Sequence, residues 1–213
     1  MKNPSVFIGI PSGSDWKADF GMSLAALMAS AGRPLKGGGF IERVQLWNTK
    51  GSILSRSRHT LVRKAQELQC SHILFIDSDM VFPNWTLHAL LSHDKAVVAA
   101  NCAVKQLPSL PTARQQGDKP AGTLVDSRET RGISRVWRVG TGVMLLKTSV
   151  FDSIQQPWFD ITWNEANDDY TGEDWSLCEK LEAAGIPVYV DHDLSRHIGH
   201  VGSYTYEHKD IEL

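Results

Sequence analysis

Residues 72–80 read His72-Ile73-Leu74-Phe75-Ile76-Asp77-Ser78-Asp79-Met80. The run from His72 to Ile76 is too short for a helix and rich in β-branched and aromatic residues. It predicts a buried parallel strand that opens into a loop. The strand ends in two carboxylates one residue apart, Asp77 and Asp79. In open α/β sheets, ligands bind beyond the carboxyl ends of such strands. Two carboxylates this close repel each other and lose hydration, a cost offset by a cation or by strong hydrogen-bond donors. A hard divalent ion that keeps positions open for phosphate oxygens meets that need. The same residues also fit a simpler arrangement, in which Asp77 caps the next turn and Asp79 faces water.

On either side of this stretch, strand-like and helix-like segments alternate. Val6 to Ile10 predicts a first strand, closed by Pro11-Ser12-Gly13. Phe20, Leu24, Leu27, Met28 and Ala31 fall at helical spacing, and Gly32 with Pro34 stops that helix. A second strand is expected over Phe40 to Trp47, after the flexible Gly37-Gly38-Gly39. Leu61, Ala65 and Leu68 mark a second helix, Pro83 opens a short one through Leu91, and Ala96 to Ala100 returns as a strand. The Pro- and Gln-containing stretch from Leu107 to Ala121 is expected to be a mobile loop. The alternation predicts βαβ units in a single Rossmann-like α/β domain over 1–213, with a mostly parallel central sheet flanked by helices.

Composition supports one ordinary globular domain: 213 residues, 42% hydrophobic and 22% charged. A formal net charge of -2 gives no basic footprint for sequence-independent nucleic-acid binding. Cys70, Cys102 and Cys178 are odd in number, widely spaced and set among apolar residues, as buried thiols in a reducing compartment would be. The amino terminus lacks a signal-peptide core and no stretch approaches the ~20 apolar residues of a membrane span, so a cytoplasmic location without a membrane span is expected.

Three more constellations lie in the second half. Gly140-Thr141-Gly142 stands at the mouth of the apolar run Val143 to Leu146. Such glycines mark a close backbone approach to a ligand, a turn with positive φ, or a plain bulge. Glu173-Asp174 precedes Leu177, Cys178, Leu181 and Ala184, which share one helix face, so this acidic pair sits at a helix amino terminus. There it either complements the helix dipole or supplies a general base tuned by burial beside Trp175. Asp191, His192, Asp193, His197 and His200 place five possible metal ligands after a strand at Val188 to Val190, with His208 beyond. No Cys or His pair has the spacing of a closed structural zinc site. Neither a Gly-X-Gly-X-X-Gly turn after the first strand, nor a Gly-Lys-Ser/Thr phosphate loop, nor a Gly-X-Ser-X-Gly elbow occurs. Dinucleotide oxidoreductases, nucleotide-driven motors and elbow-type hydrolases lose ground accordingly.

The order of these pieces resembles the A-type (GT-A) fold of nucleotide-sugar glycosyltransferases, with a feel closest to the family-two-like enzymes, including short bacterial and phage ones. The resemblance rests on the strand ending in Pro11, Arg56-Ser57-Arg58, Asp77-Ser78-Asp79, Gly140-Thr141-Gly142, Gly172-Glu173-Asp174 and Gly199-His200-Val201-Gly202. It implies a donor-binding half over about residues 1–105 and an acceptor-binding half over about 122–213. It also implies that Asp79, with Asp77 and His200, binds Mn2+ or Mg2+ bridging the donor's diphosphate. Asp77 would contact the ribose or the metal through water, with Ser78 between the two acids, and His200 is favoured over His197 by its context. Arg58 would face the donor's nucleotide, Pro11 and Ser12 would hold the nucleoside base, and Asp174, rather than Glu173, would deprotonate the acceptor of an inverting enzyme. Lys105 stands where an arginine contact to the diphosphate is expected, and His59 follows Arg58 where many relatives have Asn.

The expected activity is metal-dependent transfer of a hexosyl or pentosyl group from a nucleotide-sugar donor, a UDP-sugar above all, to a hydroxyl of a glycan, a lipid-linked sugar or a hydroxymethylated DNA base. The alternatives are a nucleotidyltransferase of similar fold and a non-catalytic nucleotide- or sugar-binding module. Trp158, Phe159, Trp163 and Trp175 crowd the expected acceptor side, where aromatic faces stack on sugars or bases or else pack the core.

Overall fold

The computed structural model describes residues 3–118, 121–165, 168–202 and 204–212. Its first half runs Ser5–Ser12 (β1), Ala18–Ser30 (α1), Arg43–Lys50 (β2), Leu54–Glu67 (α2), His72–Ile76 (β3), Met80–Val81 (β4), Thr86–Ser92 (α3) and Val97–Ala99 (β5). Next come Arg114–Gln115 (β6), Thr123–Leu124 (β7), Ile133–Val136 (β8), Val143–Lys147 (β9), Thr162–Asn164 (β10) and Asp169–Thr171 (β11). The chain closes with Glu173–Ala183 (α4), Val188–Asp191 (β12), His192–Ser195 (α5), Gly199–Val201 (β13) and Thr205–Tyr206 (β14).

Seven strands form the central sheet in the order β2-β1-β3-β9-β5-β12-β8. β2, β1 and β3 are parallel neighbours, as are β5 and β12. β9 is inserted antiparallel between β3 and β5, and β8 lies antiparallel on β12. The sheet is therefore mixed, although five of its strands share one direction. The apolar run of β9 reads the same in either direction, so its sequence could not distinguish the two.

Side-chain alternation explains why the central strands are apolar throughout. Phe7, Ile73 and Phe75 point into a core shared with Leu61, Val62, Leu177 and Leu181 of α2 and α4. Val6, Ile8, Leu74 and Ile76 point the other way, against Phe20, Leu24, Leu27, Leu87, Leu90 and Leu194 of α1, α3 and α5. With both faces covered, the strand ends are the open part of the sheet. The second strand begins later than its hydrophobicity implied, at Arg43, and Phe40 is left exposed.

The stretch from Leu107 to Ala121 is more ordered than its composition predicts. Ala103 bridges Pro111, and Arg114 and Gln115 pair with Leu124 and Thr123. Asn101 Oδ1 accepts the Ala113 amide at 2.9 Å. These long-range partners tie down a segment whose composition resembles that of a free loop; Lys119 and Pro120 lie outside the described residues.

Candidate active site

The two acidic pairs converge through one arginine. Arg58, in the second turn of α2, is only 2% exposed. Its Nη2 donates to both oxygens of Asp77 at 2.9 and 3.1 Å, and its Nη1 donates to Glu173 at the start of α4. The sequence showed each of these residues, but not that a single guanidinium joins them. With both Nη atoms engaged by carboxylates, Arg58 is turned to the acids and not outward to a nucleotide.

Asp77 continues the strand ladder, its amide donating to the Gly142 carbonyl at 3.0 Å. The Ser78 carbonyl accepts from the Lys17 amide at 3.2 Å, which joins this turn to the start of α1. Asp79 is held from the far side of the sequence, since its carbonyl accepts the Val201 amide at 2.7 Å in the small sheet of β4, β13 and β14. That sheet sets His200 opposite Met80 and its ring beside Asp79. Lys105 donates to Asp79 Oδ2. Burial alone would raise the pKa of Asp79, but the hydrogen bonds from His200 and Lys105 prevail and hold it down at about 2.

Asp79 and His200 are the two side chains here that could share a divalent cation. His200 Nδ1 donates to the Ala103 carbonyl at 2.9 Å, an anchor of the kind that orients metal-ligating histidines. Nε2 then faces Asp79 Oδ1 across 3.5 Å. With Nε2 protonated the two form an ion pair. With it bare, they present a nitrogen and an oxygen at a spacing that two ligands ~2.1 Å from one ion can span. Among the described residues, no three His, Cys, Asp or Glu side chains form a ready cage. Asp77 is turned to Arg58 instead of to this pair.

The other predicted ligands are dispersed. His192 is buried between the hydroxyls of Ser127 and Ser134, at 2.8 and 2.7 Å, and Asp191 pairs with His93 at 2.7 Å. Asp193 pairs with Arg196. His197 lies edge-on to Trp85, 5.5 Å between ring centroids, and His208 is buried against the Asn101 carbonyl at 2.6 Å. Density along the sequence did not become density in space, because the end of β12, α5 and the segments that follow them turn these side chains to different neighbours.

Asp174 has the opposite setting from Asp79. Glu173 is neutralised by Arg58, whereas the only hydrogen bond to Asp174 among the described residues is from the next amide, Trp175 N, to Oδ1 at 2.7 Å. Gly172 is the helix N-cap, so Asp174 does not cap α4. Burial, with the charge of Glu173 next in importance, pushes its pKa up to about 6. A carboxylate so poised holds or takes a proton near neutral pH.

Gly142 lies beside Asp77, and neither it nor Gly140 has positive φ. A Cβ on Gly140 would come within 3.2 Å of Thr112, so close packing explains that glycine. At the end of β1, Asn48 Nδ2 donates to Ser12 Oγ at 2.8 Å, and Pro11 sits in register with Thr49. A cavity of about 420 Å³ adjoins this strand end, lined by Thr49, Lys50, Ile53, Arg56 and Ser57 among others. A second cavity of about 370 Å³ lies at the opposite end of the sheet, beside His72 and Asp94, away from the acids.

No family model matches the chain, and no curated protein matches it by sequence. Solved structures do resemble it. A197 from STIV aligns over 97% of this chain and 91% of its own, at TM-score 0.63 and 13% identity. GalNAc-T7, crystallised with UDP, GalNAc and Mn2+, aligns over 97% of this chain and 44% of its own, at TM-score 0.59 and 12% identity. The fold is GT-A-like. At these identities the likeness extends to the fold and does not single out the family-two type. Among the described residues, no helix is long and apolar enough to cross a membrane.

Proposed function

We propose that this chain is a metal-dependent glycosyltransferase that moves a sugar from a nucleoside-diphosphate donor, a uridine one above all, onto a hydroxyl acceptor. The observation that carries this reading is the pair of acidic sites with opposite electrostatics at one end of a GT-A-like sheet: Asp79 held ionised, Asp174 held near neutrality. A Mn2+ or Mg2+ ion held by Asp79 and His200 would supply Lewis-acid charge to offset that building up on the departing diphosphate. The neighbour crystallised with UDP and Mn2+ supports that ligand class.

The chain's own groups divide the remaining work. Asp174 takes the proton of the acceptor hydroxyl, as in an inverting reaction. Asp77, fixed by Arg58, presents a rigid carboxylate toward the ribose, next to Ser78. Lys105, a long and exposed side chain on Asp79, would offer its ammonium to the diphosphate. Pro11 and Ser12 flank the base. Arg58 acts as the strut that keeps Asp77 and Glu173 from repelling each other. The family-two-like subtype and the cytoplasmic setting belong to the same proposal.

The test is incubation of the full chain with a panel of nucleotide-sugars and Mn2+ or Mg2+. Free nucleoside diphosphate should appear with metal and vanish with excess chelator. Release that is indifferent to the chelator would remove the metal from the proposal, and no release from any donor would remove the transferase.

A further inference from the structure

Four aromatic residues crowd the acceptor side in sequence, and the structure separates them sharply. Trp158 and Phe159 are each 3% exposed, stacked on His59 and set edge-on to Phe75. Trp175 is half-buried beneath the Arg138 guanidinium, 4.8 Å from its ring centre. Trp163 alone of the four stands in the open, 53% exposed, on the hairpin of β10 and β11. Directly across that hairpin is Tyr170, 65% exposed, with the rings edge to face at 5.2 Å. Two large aromatics set edge to face on a two-stranded hairpin, each more than half exposed, contribute little to packing and leave ring surface open to a ligand.

The hairpin leads straight into the candidate base. β11 ends at Thr171, and Gly172 alone separates it from Glu173 and Asp174. Tyr170 is four residues from Asp174, at most ~14 Å of chain. The surrounding segment from 160 to 174 carries six acids and no Lys or Arg: Asp160, Glu165, Asp168, Asp169, Glu173 and Asp174. Among the described residues only Glu173 of these is in an ion pair. Carboxylates accept hydrogen bonds from hydroxyl groups and repel phosphates, while an open aromatic face attracts the C–H face of a ring. Together they select an uncharged polyhydroxylated ring.

We propose that the Trp163–Tyr170 pair is a stacking platform for an uncharged saccharide, making the acceptor a neutral glycan and not DNA or a sugar phosphate. This rests on the transferase reading above for the word acceptor, but the sugar site itself does not. The test uses the full chain labelled with 5-fluorotryptophan, its Trp163 resonance identified by loss in Trp163→Phe. Titrants are neutral pentasaccharides of glucose, galactose, mannose and N-acetylglucosamine, beside glucose 1-phosphate, single-stranded DNA and a Ser/Thr-rich peptide. At least one pentasaccharide should displace the Trp163 resonance saturably. Tyr170→Ala should weaken that binding about tenfold, the scale of one aromatic stacking contact. Silence from all four pentasaccharides, displacement by the anions or the peptide instead, or an unchanged affinity in Tyr170→Ala would overturn the assignment. Nucleoside diphosphate release by the unaltered chain is scored separately. Release without a saccharide response defeats the platform alone, and a saccharide response without release defeats the transferase alone.

Discussion

Asp79 and Asp174 are both aspartates in short acidic motifs, yet one is held at a pKa of about 2 and the other at about 6. Burial raises both, and partners decide the difference. Asp79 receives a lysine and a histidine, whereas Asp174 has the like charge of Glu173 beside it and an arginine turned to that neighbour. An acid at the first setting keeps its charge and can hold a cation; one at the second can exchange a proton. A substitution or a pH change should therefore act differently at the two ends.

The largest effect is expected at Asp79. Asp79→Ala should bring transfer down to the uncatalysed background while circular dichroism and the thermal midpoint show a folded chain; substantial residual turnover would mean that the strand-end acid does not anchor the diphosphate. Asp174→Asn should reduce kcat by ~10²–10⁴ with nucleoside diphosphate affinity, read by calorimetry, near that of the unaltered chain. The same variant should be more stable at neutral pH. The carboxyl's pKa is raised above its usual 3.8, so ionisation costs stability that sets in as pH rises through the unfolded range and is complete above about 6. The cost corresponds to ~1–3 kcal/mol, and the gap between the denaturant melts of the two proteins should be widest at pH 8, narrower at pH 5 and nearly closed below the unfolded carboxyl's 3.8.

Arg58→Ala tests the strut between the two ends. It leaves Asp77 and Glu173 without their cation, and a loss of about 3–5 kcal/mol is expected, as for other broken buried pairs; a melt within 1 kcal/mol of the parent's would show the bridge to be incidental. At the proposed metal pair, His200→Ala should weaken Mn2+ binding, followed by electron paramagnetic resonance, by ~10–100-fold, and His197→Ala should leave it unchanged because that ring packs on Trp85. The mildest effect is on pH. kcat/KM, which reports the free enzyme, should climb about tenfold per unit below about pH 6 and level off above it, and a flat profile would part Asp174 from the base role.

Much of this comparison was legible from local pattern. The apolar run of β3 ending in Asp77-Ser78-Asp79 has the period and length of a buried strand, and Leu177, Cys178 and Leu181 mark the face of α4 behind Glu173-Asp174. The histidines were legible only as candidates. His192, His197 and His208 have the same chemistry as His200, and only the pairing of β13 with β4 brings one of them to Asp79.

By itself, then, the sequence determined the elements, the α/β class and the acids at the strand and helix ends, because periodicity of 2 or 3.6 and short-range turn chemistry act over a few residues. The tertiary structure alone decided that β9 runs antiparallel, that Arg58 joins acids 96 residues apart (Asp77 and Glu173), that Lys105 neutralises Asp79, and that Trp163 is open where Trp158 is core. Each of those is a contact between distant segments, set by how helices and sheet pack, and no local pattern encodes the partner of a charge or the neighbour of a ring.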